Sequence, residues 1–155
     1  LENGSLDIIP VVQEAIQAVK PIASKKYIDL TLDAPQGPLN VFGDNSALQQ
    51  VFINLVTNAT KFSVEGGKVM ISVAFSNGSV DVSVTDSGMG IAPDAIPHLF
   101  EKFYRAKNVT VAEIPGSGIG LYIVKSIIEE LGGKIEVKSE LNKGTTFIVR
   151  LRQAA

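Results

Sequence analysis

Apolar residues Ile8, Val12, Ile16, Val19 and Ile22 recur at helical spacing and predict an amphipathic helix over 8–25, with Pro10 tolerated in its first turn. A short β-prone stretch over 27–32 follows, and Pro35 and Pro38 break it. Asp44 is placed to cap a second helix reaching about residue 61, with a core stripe of Leu48, Val51, Phe52, Leu55, Val56 and Ala59. After Gly66-Gly67, apolar residues alternate at Val69, Ile71, Val73 and Phe75, then at Val80, Val82 and Val84, which predicts two strands joined by an Asn77-Gly78 turn. Residues 92–115 carry no sustained period; a connection this long is often a lid, and its tail Val109-Thr110-Val111 reads alternatively as a short strand. The run Gly116-Ser117-Gly118-Ile119-Gly120-Leu121 opens a third helix with Ile123, Val124, Ile127, Ile128 and Leu131 inward and Gly132-Gly133 as its stop. A second hairpin closes the chain, with strands over 134–138 and 145–151 around Asn142-Lys143-Gly144.

Composition narrows the class. The 155 residues are 45% hydrophobic and 19% charged, as in one soluble globular domain. A net charge of −2 gives no footprint for nucleic acid or an anionic membrane surface. The absence of cysteine rules out disulfides and thiolate metal sites; with neither a signal peptide nor a membrane-length apolar run, this fits a cytoplasmic location. In that setting the Asn-x-Ser/Thr triplets, Asn58-Ala59-Thr60 among them, are discounted as glycosylation sites. Residues 1–5 read as a linker, leaving 6–155 as the domain.

Three stretches carry candidate chemistry. Asp86-Ser87-Gly88-Met89-Gly90-Ile91 delivers a carboxylate at a strand's end and follows it with two glycines that permit close backbone approach. A plain tight turn has the same appearance. Asn54, Asn58 and Lys61, at i, i+4 and i+7, share one helical face beside the core stripe. Two carboxamides and an ammonium in a row suit a hydrated cation and an anion, or merely a solvated face. Glycines entering the third helix leave free N–H groups at a positive dipole end, suited to phosphate. That run has neither the spacing of a dinucleotide fingerprint, since position 121 is Leu, nor that of a P-loop.

Taken together and in order, these pieces resemble the ATP-binding catalytic domain of sensor histidine kinases, in the GHKL superfamily shared with gyrase, a heat-shock chaperone ATPase and mismatch-repair ATPases. Residues 50–63 look like its N box, 86–91 its G1 box, 100–105 its F box, 116–121 its G2 box and 144–147 its last glycine box. The resemblance implies an α/β (α+β) two-layer sandwich of the Bergerat type. Its mixed, mainly antiparallel sheet of about five strands is covered on one face by three helices, and a long lid closes over ATP. It further implies that Asp86 accepts a hydrogen bond from the adenine amino group. Gly88 and Gly90 would let the backbone approach the purine, with Ile91 lining the site, and Thr146 would complete it, partly through water. Phe62 or Tyr104 would pack on base or ribose, and Asn58 would coordinate Mg²⁺ with Asn54 supporting that shell. Lys61 and Arg105 would neutralise phosphate charge, while Gly116, Gly118 and Gly120, with Ile119 and Leu121, would lay N–H groups along the phosphates. Phe100 and Phe103 would anchor the lid to a partner domain, with local core packing as the alternative.

The implied chemistry is transfer of the ATP γ-phosphoryl group to a histidine on a separate helical-hairpin domain of the same or a sister chain, and then to an aspartate on a response regulator. The implied setting is cytoplasmic, including the cytoplasmic part of a membrane-bound sensor, with no nucleic acid and no membrane contact by this domain. His98 is the only histidine and lacks the acidic and proline residues of the family's acceptor motif, so it reads as a lid or surface residue. The alternatives are a hydrolase of the gyrase or chaperone kind, a serine kinase of the anti-sigma type, and a degenerate binding domain. A hydrolase needs a glutamate as general base where Asn54 stands, and an amide cannot take the proton.

Overall fold

A single carboxylate sets the entry to the fold. In the computed structural model, which describes residues 1, 3–104 and 120–155, Asp7 ends strand β1 (Gly4–Asp7) and caps helix α1 (Ile8–Lys25). Its Oδ1 accepts from the Ile9 N–H at 3.1 Å and from the Leu39 N–H at 3.1 Å, so it ties the helix start to the backbone at Leu39. Strand β2 (Asp29–Asp33) and strand β3 (Asn40–Gly43) precede helix α2 (Asn45–Phe62), which Asp44 caps through the Ala47 N–H at 2.9 Å. Strands β4 (Lys68–Ser76) and β5 (Ser79–Asp86) form the expected hairpin, with Asn77 and Gly78 both at positive φ. After a single 3₁₀ turn at Ile96–His98 come helix α3 (Gly120–Glu130) and the hairpin of β6 (Lys134–Glu140) and β7 (Gly144–Arg152).

The five-stranded sheet runs β2-β4-β5-β7-β6; β2 is parallel to β4 and the other neighbours are antiparallel. One face buries Val69, Ile71, Val73, Val80, Val82, Val84, Phe147, Val149 and Leu151. Their period of two meets the inward stripes of the helices, among them Val12, Val19, Leu48, Val51, Phe52, Leu55, Val124 and Ile128. The opposite face carries Met70, exposed, and the Glu136–Arg150–Asp81 ion-pair row. This is the three-helix, mixed-sheet sandwich the sequence implies. Among the described residues no helix is long and apolar enough to cross a membrane.

Two features depart from expectation. Gly4 and Ser5, assigned to a linker, lie in β1 and pair with Gly43 and Phe42 of β3 in a separate two-stranded sheet. Apolar alternation in both segments is too short to signal a strand; backbone pairing and the Asp7 clamp supply the order. In α1 the last inward position is Ala23, and Ile22 is 44% exposed. The alternative strand at Val109-Thr110-Val111 lies outside the described residues.

Asp7→Ala removes both a helix cap and a bond to Leu39. It is expected to lower unfolding free energy by about 1–2 kcal/mol, read as a fall in urea midpoint at constant m-value.

Candidate functional site

The buried face of the sheet changes character at one end. Along β4, β5, β7 and β6 the paired residues run Val69, Asp86, Thr145 and Ser139, so an apolar residue gives way to three polar ones. Asp86 and Thr145 are each only 7% exposed. The Asp86 Oδ1 accepts from the Gly88 N–H at 2.9 Å. Burial raises the Asp86 pKa above its ordinary 3.8, while backbone hydrogen bonds from Gly88 and Thr145 pull it back. Among the described residues no cation pairs with this carboxylate, so it keeps acceptor capacity for a ligand's N–H group.

The turn after Asp86 is held on two sides. The Met89 N–H donates to the Phe62 carbonyl at 3.3 Å, at the end of α2. On the other side the Asn142 N–H donates to the Met89 carbonyl at 2.7 Å and the Ile91 N–H to Ser139 Oγ at 2.8 Å. Gly88 and Gly90 therefore have a structural reason besides a ligand: a Cβ at Gly88 would overlap the Phe62 carbonyl, and one at Gly90 the Glu140 carbonyl.

On α2, Asn54, Asn58 and Lys61 are half-buried along one face, and the Asn54 carboxamide carbon lies 4.0 Å from where a Gly120 Cβ would be. The amide face thus looks onto the start of α3, where Gly120 and half-buried Leu121 sit. Lys26 Nζ donates to the Lys61 carbonyl at 2.7 Å and the Thr60 carbonyl at 3.3 Å, placing positive charge at the negative end of α2's dipole. A cleft of about 370 Å³ is lined by Lys26, Lys61, Phe62, Gly88, Met89 and Asn142 among others; Asp86, Asn54 and Asn58 do not line it. The carboxylate and the amide face, rather than this cleft, define the site.

Position 146 needs correction. Strand alternation turns Thr146 to the outer face, where its hydroxyl lies 3.0 Å from that of Thr85. Thr145, directly opposite Asp86, is the threonine on the site's face. A one-residue slip in a strand reverses the side, and the Gly144-Thr145-Thr146 run offers two hydroxyls without saying which faces inward. Ser139 stands one residue beyond the strand expected over 134–138; β6 runs on to Glu140, which brings Ser139 opposite Thr145. Phe100 packs against the core, edge-on to Phe147 at 6.3 Å, with Lys125 over its ring at 5.3 Å, so it anchors locally. Phe103 is 67% exposed at positive φ. Tyr104 is half-buried beside His98, ring centroids 5.5 Å apart. Arg105, Gly116, Gly118 and Ile119 lie outside the described residues.

The model of a family described as histidine kinase-, DNA gyrase B-, and HSP90-like ATPase matches residues 43–155. The chain belongs to this family. Within it the similarity is to sensor histidine kinases. The sensor-like histidine kinase SenX3 of Mycolicibacterium smegmatis is 35% identical over 147 residues, 95% of this chain and 38% of that protein. The chain thus spans a little over a third of that relative's length. The solved catalytic domain of histidine kinase ThkA superposes with a TM-score of 0.85 at 30% identity, covering 99% of this chain and 97% of that one. ThkA is also solved in complex with response regulator protein TrrA, with a TM-score of 0.80 at 27% identity over 98% of this chain and 42% of that one. Full-length ShkA in complex with AMPPNP gives 0.84 at 30% identity over 100% of this chain and 32% of that one. As a member of this ATPase family the domain is a nucleotide binder of the histidine kinase catalytic type.

Asp86→Asn is expected to weaken adenine-nucleotide binding in calorimetry by about 1.5–3 kcal/mol, the range for a hydrogen bond to a charged group. Because the folded pKa is raised, the Asp86 contribution to stability is full below 3.8 and is lost as pH rises through the folded value. The variant should therefore unfold at the same urea concentration as the parent in acid and at a higher one at neutral pH.

Proposed function

We propose that this domain binds Mg-ATP between the Asp86 turn and the amide face of α2, and donates the γ-phosphoryl group to a histidine on a separate helical hairpin. The observation that carries the reading is the buried Asp86 carboxylate, its Oδ1 held by the Gly88 N–H, on a sheet whose neighbouring helix presents Asn54, Asn58 and Lys61. A carboxylate there selects a base bearing an exocyclic amine. The nucleotide analogue bound to ShkA supports the ligand class, and the ThkA complex with TrrA supports a response regulator as eventual recipient.

The donor set fits a phosphate-bound magnesium ion better than a protein cage. Among the described residues no group of three or more His, Cys, Asp or Glu could hold a metal ion. Asn58, supported by Asn54, would hold Mg²⁺ through amide oxygen while phosphate oxygens and waters complete the shell, and the ion would draw charge off the phosphates. Lys61, with Arg105 from the lid, neutralises phosphate charge. Backbone N–H groups of Gly116, Gly118, Ile119, Gly120 and Leu121 line the phosphate chain. Phe62 or Tyr104 packs on base or ribose, and Ile91 borders the base. In the transfer itself the acceptor imidazole nitrogen bonds to the γ-phosphorus as the bond to the β,γ-bridging oxygen breaks and ADP departs.

His98 is not the acceptor. It is exposed and its Nδ1 lies within hydrogen-bond distance of Glu101 Oε2 at 3.0 Å, and Leu99-Phe100 follow it. The amide at Asn54 argues against a water-activating hydrolase. The serine-kinase alternative is separated by product chemistry. Incubating the domain with a phosphoacceptor hairpin and labelled ATP is expected to give an acid-labile, base-stable phosphohistidine on the hairpin and no label on the domain alone. An acid-stable phosphoserine would transfer the assignment to the serine kinases, and free phosphate without acceptor to the hydrolases.

A further inference from the structure

Ser139 Oγ sits at the centre of a four-group junction. It lies 2.8 Å from the Ile91 backbone nitrogen, 2.9 Å from the Gly144 carbonyl and 2.8 Å from Thr145 Oγ1. The first can only donate and the second can only accept, so the single Ser139 proton goes to Gly144. Both lone pairs of Ser139 then accept, one from Ile91 and one from Thr145. The Thr145 hydroxyl has thereby spent its proton on Ser139. What remains on Thr145 Oγ1 is acceptor capacity alone, one strand away from the acceptor carboxylate of Asp86.

We propose that Ser139 is a positioning residue that sets base specificity: it fixes the Thr145 hydroxyl as a pure acceptor and pins the Ile91 end of the Asp86 turn to β6. The inference rests on the adenine-nucleotide reading of the site. Two acceptors, Asp86 and Thr145, suit the two hydrogens of the amine at purine position 6, directly or through one water. A purine with a carbonyl at that position would bring its oxygen against two groups that have no hydrogen to give, and an unpaired buried acceptor is costly. Without Ser139 the Thr145 hydroxyl rotates freely and can donate to that carbonyl.

Calorimetry with ATP and inosine triphosphate, which carries a carbonyl in place of the amine, tests this on the domain as it stands. Ser139→Ala is expected to reduce the ratio of ATP to inosine triphosphate affinity roughly tenfold, the scale of one neutral hydrogen bond. Thr145→Val, which keeps shape and strand preference, should reduce it similarly, and the double variant should show no further fall. Ser139→Thr restores a hydroxyl and should keep the parental ratio, which a merely structural role for Ser139 would not require. An unchanged ratio in either hydroxyl-deleting variant would overturn the proposal, and Thr145→Val decides alone where Ser139→Ala does not fold. Failure of the parent domain to bind ATP would instead overturn the adenine-site reading beneath it.

Discussion

Asp86 is a carboxylate taken nearly out of water with no cation paired to it among the described residues, and the surrounding backbone is arranged to make that tolerable. Two N–H groups, from Gly88 and Thr145, aim at it. To bring the Gly88 N–H round, the chain must turn sharply against the end of α2, and the contact with the Phe62 carbonyl leaves no room for a side chain. To bring Thr145 alongside, β7 must pair with β5 in one register, and Gly144 must pass where a Cβ would overlap the Asp86 carbonyl. The glycines and the ladder are thus conditions for keeping one charge inside.

The remaining machinery is disposed around that charge. Helix α2 has two adjacent faces with different duties: the stripe from Leu48 to Ala59 is sealed into the core, and Asn54, Asn58 and Lys61 stand at its margin. Lys26, from the end of α1, fastens the last carbonyls of α2 beside this margin. The helix is consequently held at both ends by side chains, Asp44 at the start and Lys26 near the finish, which fixes the separation of the polar groups along its margin.

Long periodic segments were legible in the sequence. Helix α1 spans the residues its apolar spacing implies, Asp44 caps α2, and the Asn77-Gly78 hairpin stands where its turn residues put it. Periodicity reports burial, so it is clear where many apolar side chains share a face. It is silent where order comes from backbone pairing, as in β1 and β3, whose four residues each bury too little to leave a pattern. The candidate site divides in the same way. Asp86 and the α2 amides were visible as residue types at telling spacing, but the choice between Thr145 and Thr146 depends on strand register, and the Ser139 junction on a contact between the β6–β7 hairpin and Ile91, 48 residues away. Gly88 and Gly90 suggest close approach to a ligand by their type alone, whereas the contacts they permit are with the Phe62 and Glu140 carbonyls of the protein itself.

The order in which the sheet can assemble follows from its strand sequence. The hairpins β4–β5 and β6–β7 close over short turns and need little chain entropy, so they are candidates for early structure. Joining β5 to β7 requires the whole segment containing α3 to be gathered first, and joining β2 to β4 in parallel requires β3 and α2 to be in place between them. Asp86 and Thr145 meet only across the β5–β7 seam. The two residues are therefore not neighbours in forms that lack this seam, and any ligand held by both would draw the entire domain, not one loop, toward its native state.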